Sequence, residues 1–255
     1  MPETFLSTFT PSLSKPETLE AITVGRRLEL SRIVALVANS VNTRAKHHVL
    51  LVGPRGIGKT HLISLINHRL QSATELRDRM ITVWLKEEEW GVSSFLDLLL
   101  RILRNLAETR QTDLKPETVE SLFDIEPKEA ESSAARLLKK VSGDNTLVLL
   151  AENLDEIFKG LGESGQQKLR SFIQENPFIS IVATTQSLFA GVSSQTEPFY
   201  GFFSVYHLAA FSFAEAVEML VKIAELRRDR ALADYLKTPE GRARVRAVHH
   251  LVGGS

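Results

Sequence analysis

The amino-acid sequence predicts an α/β fold: a five-stranded parallel sheet with helices on both faces, followed by a small all-helical unit. Three observations carry this expectation. Short β-type apolar runs alternate with stretches of helical periodicity, the pattern of a parallel sheet crossed over by helices. The first of these runs enters a glycine-rich loop that leads directly into a helical stretch. From Phe211 onward the alternation stops and only helical spacing remains.

The length of 255 residues accommodates one large α/β domain and a small companion. Apolar residues make up 43% and charged residues 24%, the balance of an ordinary globular chain rather than a disordered or fibrous one. Thirty-one basic residues offset thirty-one acidic ones, so net charge argues neither for nor against a nucleic-acid partner. The absence of cysteine excludes disulfides, thiolate chemistry and cysteine-based metal sites, and is compatible with a reducing compartment. Residues 1–16 are rich in Ser, Thr and Pro and lack the basic and apolar regions of a signal peptide. The longest apolar runs, such as 147–151, fall far short of the ~20 residues that span a bilayer. These features read as a soluble, cytoplasmic protein with no membrane partner.

In chain order, residues 1–20 read as a loosely packed lead-in, 21–210 as the sheet domain and 211–255 as the helical unit. Leu28, Ile33, Leu36 and Val37 recur at helical spacing and place a helix over 26–41. Residues 48–52 form the first strand, and Leu62, Ile63, Leu65 and Ile66 mark a helix over 61–70. The run 81–85, with Val, Thr and Trp, is the second strand. Phe95, Leu96, Leu99, Ile102, Leu103 and Leu106 form the apolar stripe of the next helix, and a shorter one covers 127–141. Strands three to five fall at 146–151, 178–183 and 203–208. The helical unit then reads as 213–228, 230–237 and 240–251.

The loop after the first strand is Gly53-Pro54-Arg55-Gly56-Ile57-Gly58-Lys59-Thr60, followed by His61. This Gly-x4-Gly-Lys-Thr pattern between strand and helix is a P-loop (Walker A). Glycines let successive backbone N–H groups turn around phosphate oxygens, and the helix N-terminus adds a favourable dipole. Gly53, Arg55, Gly56, Ile57, Gly58, Lys59, Thr60 and His61 are the candidate nucleotide-binding residues. Lys59 offers a mobile charge to the β- and γ-phosphates, and the Thr60 hydroxyl is a magnesium ligand. The cofactors implied are ATP and Mg2+. The competing reading, a glycine-rich turn with an incidental lysine, does not explain the strand–loop–helix context.

The third strand runs into Ala151-Glu152-Asn153-Leu154-Asp155-Glu156. A buried strand ending in three carboxylates needs a reason, because unpaired buried charge is costly. A magnesium-nucleotide at the carboxyl ends of the strands is such a reason. The segment resembles a Walker B sequence, with Glu152 as the second metal residue and Asp155 or Glu156 as candidates to polarise an attacking water. It departs from that pattern in carrying Glu152 where aspartate is usual, so the metal-bound water is held by a side chain one methylene longer. The competing reading is a solvated acidic helix start favoured by the dipole. At the end of the fourth strand, Ala183-Thr184-Thr185-Gln186 places a polar residue, Thr185 or Gln186, between the first and third strands. An ordinary turn or helix cap would look the same.

Upstream, Thr23-Val24-Gly25-Arg26-Arg27-Leu28-Glu29-Leu30 joins these motifs in a constellation that resembles the AAA+ and STAND ATPases. The nearest branch holds replication-initiator, transposition-regulator and signalling ATPases, and the resemblance covers about 21–255. It implies an ATP hydrolase in a P-loop NTPase core with a helical lid, Val24 and Arg26 beside adenine, and Thr185 or Gln186 as sensor-1. The residues between 187 and 203 contain no arginine to serve as the trans-acting finger of such relatives. The sensor-2 arginine would follow the segment 248–255, so the lid reads as incomplete and the sequence as a fragment. The resemblance implies an unidentified protein partner, DNA binding through a region beyond Ser255, or a nucleotide-dependent homo-oligomer. Two alternatives remain: a slow nucleotide switch with little hydrolysis, and a P-loop kinase, for which no Arg-rich closing segment is found.

Other features suggest less. The pairs His47-His48 and His249-His250 have no third ligand at metal-site spacing. Arg242 and Arg246 share a helical face, read as solvated surface rather than a DNA patch. The run 87–90, three glutamates and a tryptophan, reads as a solvated loop.

Overall fold

The computed structural model describes residues 14–86, 91–109 and 111–252; the acidic run 87–90 and the last three residues lie outside the described residues. Two helices, α1 (Pro16–Ile22) and α2 (Arg27–Asn42), precede strand β1 (Val49–Val52). Then come α3 (Lys59–Ser72), α4 (Thr74–Arg77), β2 (Met80–Leu85) and α5 (Phe95–Thr109). They are followed by α6 (Pro116–Glu120), a 3-10 turn at Ser121–Phe123, α7 (Pro127–Ser142) and β3 (Thr146–Ala151). The domain closes with α8 (Leu154–Glu175), β4 (Ile179–Thr185), α9 (Ala190–Ser193) and β5 (Ser204–His207). Helices α10 (Phe213–Leu226), α11 (Arg230–Lys237) and α12 (Pro239–Leu251) form the helical unit.

The five strands form one parallel sheet in the order β2-β3-β4-β1-β5. Alternate residues of each buried strand serve opposite faces. Leu50, Val83, Leu147, Leu149, Ile181 and Ala183 pack with α5, α7 and α8. Val49, Leu51, Val148, Leu150 and Val182 pack with α1, α2 and α3. Covering both faces is what makes these strands continuous apolar runs. The edge strand β5 is mostly exposed.

Six elements were not anticipated, namely α1, α4, α6, the 3-10 turn, α8 and α9, and two of them shape the packing around the sheet. Residues 16–22, which cross the expected boundary between the lead-in (1–20) and the sheet domain (21–210), form α1, whose Leu19 is buried in the α2–α3 face. The 22-residue α8 joins β3 to β4, and its glycines hide it from a propensity reading. Gly162 (φ 60°, ψ −178°) breaks its helical geometry, and at Gly160 a Cβ would stand 1.6 Å from the Val92 carbonyl oxygen. Gly160 therefore marks a close approach between backbones, not a loop.

The helices α10 to α12 are well capped, with a reciprocal Ser212–Glu215 capping box, Asp229 accepting from Leu232 N–H and Thr238 from Gly241 N–H. Their core is small: Val217, Ala224, Ala233, Leu236 and Val245, flanked by Phe213 and Val221. The α12 stripe of Val245, Val248 and Leu251 starts buried and runs out into solvent, Leu251 being 85% exposed. An apolar cavity of about 320 Å³ opens between α10 and α12, lined by Met219, Leu220, Val245 and Val248 among others. Arg242 and Arg246 both lie over the Phe213 ring, at 5.2 and 4.6 Å from its centroid. Among the described residues, no helix is long and apolar enough to cross a membrane.

Candidate functional site

Strand β1 is fully buried and delivers the glycine loop to the carboxyl edge of the sheet. Gly53 N–H donates to the Thr185 carbonyl at 3.2 Å, so the loop starts from a point fixed to β4. A Cβ at Gly53 would stand 2.9 Å from Ile57 Cγ2, which holds the loop to its own buried isoleucine. Gly56 (φ 84°) and Gly58 (φ 94°) occupy the left-handed region, and nothing lies within 4 Å of where their Cβ atoms would be. Only glycine adopts this geometry cheaply, and its outer face stays open. Lys59 Nζ donates to the Gly53 and Pro54 carbonyls at 2.6 and 3.0 Å, folding back across the loop. Arg55 is exposed; Ile57 is core, so only its backbone faces the loop.

His61 points elsewhere. Its Nε2 lies 2.9 Å from Thr23 Oγ1, which itself donates to the Leu19 carbonyl, so the imidazole is the donor. Burial lowers the His61 pKa and favours the neutral ring. The residue joins α3 to the segment after α1.

One residue beyond β3, Glu152 N–H donates to the Leu85 carbonyl at 3.0 Å and continues the ladder with β2. The Glu152 side chain, only 6% exposed, is held at both oxygens. Thr60 Oγ1 donates to Oε2 at 2.6 Å, and the Trp84 indole N–H donates to Oε1 at 3.0 Å. A buried carboxylate is tolerable when so satisfied. Asn153, in the left-handed region at φ 52°, turns the chain into α8. Its N–H donates to Thr184 Oγ1 at 3.2 Å. Asp155 Oδ1 is buried with no hydrogen-bond partner among the described residues. Glu156 is exposed, 3.6 Å from Lys159 Nζ. The three acids therefore do not converge on one point.

At the end of β4, Thr184 and Thr185 are buried and Gln186 is exposed. Thr185 Oγ1 donates to the Ser187 carbonyl at 3.0 Å. In the N-terminal segment Val24 is buried. Arg26 donates to the Ala209 carbonyl and lies 5.0 Å over the Phe211 ring, where burial lowers its pKa. A Cβ at Gly25 (φ 65°) would stand 2.2 Å from Glu215 Oε1, and Lys222 Nζ donates to the Thr23 carbonyl at 3.1 Å. Residues 23–26 thus form the seam between sheet domain and helical unit.

Trp84, Thr184, Thr23 and Lys222 were missed by sequence reading. The only usable signal was Trp84, since a tryptophan in a buried run normally finds a partner for its N–H. The donor set fits a magnesium-nucleotide. Thr60 and Glu152 offer hydroxyl and carboxylate oxygens, the ligands magnesium takes. The open faces at Gly56 and Gly58 leave room for phosphate oxygens.

A glycine loop between β1 and α3, beside an acid at the end of β3 in a parallel sheet with β4 between β1 and β3, defines a P-loop NTPase fold. A family model for the AAA ATPase domain matches residues 23–182, and this chain belongs to that family. No curated protein matches the chain. Among solved structures, it is similar to the Orc1 protein of Aeropyrum pernix in complex with DNA (18% identity, TM-score 0.59, covering 83% of this chain and 53% of that one). It is similar also to a Walker-type ATPase of Pyrococcus abyssi (15% identity, TM-score 0.53, covering 91% and 74%). A third is a chain of the HORMA:CdnC:Trip13 complex of E. coli MS115-1 (14% identity, TM-score 0.50, covering 82% and 71%). At these identities the likeness is one of fold. This chain spans about half the length of the Orc1 structure.

Proposed function

We propose that this chain binds ATP with magnesium at the glycine loop and couples binding and hydrolysis to the placement of the helical unit on the sheet, and so to action on a partner. The observation that carries the reading is the 2.6 Å bond from Thr60 to Glu152, which joins the loop helix to the acidic strand end. Thr60 and Glu152 would hold the metal, whose chemistry is to neutralise charge on the phosphate oxygens. Lys59 exchanges its loop carbonyls for phosphate, and the first-turn N–H groups of α3, which lack intrahelical partners, complete the cradle. Asp155 is favoured over Glu156 to orient the attacking water, because its buried Oδ1 is a ready acceptor whereas Glu156 faces solvent and Lys159. Val24 and Arg26 would flank the base, and Thr185 or Gln186 would register the γ-phosphate. The seam at 23–26 is how nucleotide bias would reach α10. A cytoplasmic protein partner, DNA, or a nucleotide-dependent homo-oligomer belongs to the same proposal.

A slow nucleotide switch is the second reading, favoured by Glu152 with both oxygens engaged and Glu156 turned outward. Parallel assays of nucleotide binding and phosphate release on wild type and Lys59→Ala test both. Binding with steady phosphate release supports the motor-like reading, binding with negligible release supports the switch, and no binding refutes both.

A further inference from the structure

We infer that Trp84 is a positioning residue for Glu152: its indole N–H fixes Oε1 so that Oε2 stays on Thr60 at the metal side of the carboxylate. The inference rests on the ATP–magnesium reading of this site. Glutamate has one more rotatable bond than the aspartate usual here, so an unanchored Glu152 would spread over several rotamers. Adjacent residues of one strand fix the Glu152 backbone and its carboxylate separately, and only the second contact restricts the side chain. Leu85 binds the Glu152 backbone through its carbonyl, and Trp84 binds the side chain at 3.0 Å.

The β2–β3 register pairs Trp84 with Leu150 and Leu85 with Ala151, which brings both contacts to the end of β3. Strand β2 is the sheet edge, separated from β1 and its loop by β3 and β4. Among the side chains described on β2, the indole supplies the reach to the Glu152 carboxylate. The half-buried ring packs against the α2–α3 face of the sheet and has Lys86 Nζ 5.4 Å from its centroid.

Trp84→Phe keeps the ring and removes only the donor. Binding of a fluorescent ATP analogue is measured against Mg2+ concentration and in EDTA, for wild type, Trp84→Phe, Glu152→Asp and the double variant. In Trp84→Phe the Mg2+ concentration for half-maximal enhancement rises roughly tenfold, the scale of one hydrogen bond to a charged group, while binding in EDTA stays within about twofold. In the Glu152→Asp background the same change has no effect, because the shorter carboxylate does not reach the indole. An unchanged Mg2+ dependence, or equal losses with and without Mg2+, overturns the inference. A second measurement uses no nucleotide: urea unfolding of wild type, Trp84→Phe, Glu152→Gln and their combination. Non-additive losses support the anchor, and strictly additive ones overturn it. If the wild type fails to bind the analogue at all, the ATP reading falls, and the unfolding cycle still decides whether indole and carboxylate are coupled.

Discussion

Thr60, in the first turn of α3, and Glu152, just past the end of β3, are 92 positions apart and share a 2.6 Å hydrogen bond across the site. The hydroxyl donates to one oxygen of a carboxylate that is only 6% exposed, so an apolar side chain of the same shape removes one charge-assisted hydrogen bond from the buried site. Thr60→Val is expected to destabilise the nucleotide-free protein by about 1.5–3 kcal/mol, the scale of one hydrogen bond to a charged group. Urea unfolding measures it, and a loss below about 0.5 kcal/mol would show that the bond is not formed in solution.

Nucleotide should stabilise the chain. With ligand at ~100 times its dissociation constant, linkage contributes about 2.7 kcal/mol. Each kcal/mol moves the melting temperature by roughly 2–4 °C at this size, so Mg-ATP should raise it by about 5–10 °C. Lys59→Ala should lose most of the shift. A wild-type melting curve indifferent to millimolar Mg-ATP would remove the basis of the proposed function.

The acids should separate binding from turnover. Asp155→Asn and Glu156→Gln should each retain nucleotide binding, and at least one, with Asp155→Asn favoured by the geometry, should abolish phosphate release. Wild-type rates in both variants would show that neither carboxylate orients the water. Glu152→Asp should hold or raise the rate, because it restores the commoner side-chain length.

Acid should weaken the fold through His48. Its ring stacks on Phe202 at 4.0 Å, and its Nδ1 accepts from Ile181 N–H, a bond that protonation would destroy. Burial, with Arg170 and His47 nearby, lowers its pKa to about 4. The folded state therefore binds fewer protons than the unfolded one below the ordinary histidine pKa of ~6.5. Stability that is whole above pH ~6.5 should fall progressively toward pH 4. His48→Phe should flatten that part of the stability profile, and an unchanged slope would assign the acid sensitivity to other groups.

The helical unit should open more readily than the sheet. Its core is five small or medium side chains beside a cavity of about 320 Å³, while β1 and β3 are buried along their full length. Hydrogen exchange should be much faster for amides of 212–251 than for 49–52 and 147–151. Gly25→Ala, which forces a side chain against Glu215, should speed exchange further in α10. Equal protection of unit and sheet would mean that the small core is sufficient.

The sheet and its glycine loop were legible because their signals are local. Residues 49–52 and 147–151 are apolar throughout since both faces are covered, and Gly56, Gly58, Lys59 and Thr60 fall within five consecutive residues whose chemistry depends on their own backbone. Helix α8 was not legible, because Gly160 and Gly162 look like loop residues until Val92 and the turn they serve are in view. The acidic motif was read as three neighbouring carboxylates, yet the left-handed turn at Asn153 leaves Glu152 at the strand end and Glu156 on α8, so Glu152 meets Thr60 while Glu156 meets Lys159. The sequence by itself determined which residue types stand at the phosphate loop and that a parallel sheet carries them. Only the tertiary structure decided the partners of Glu152. Trp84 and Thr60 are brought to it by strand register and helix packing, contacts 68 and 92 residues apart that no local pattern encodes.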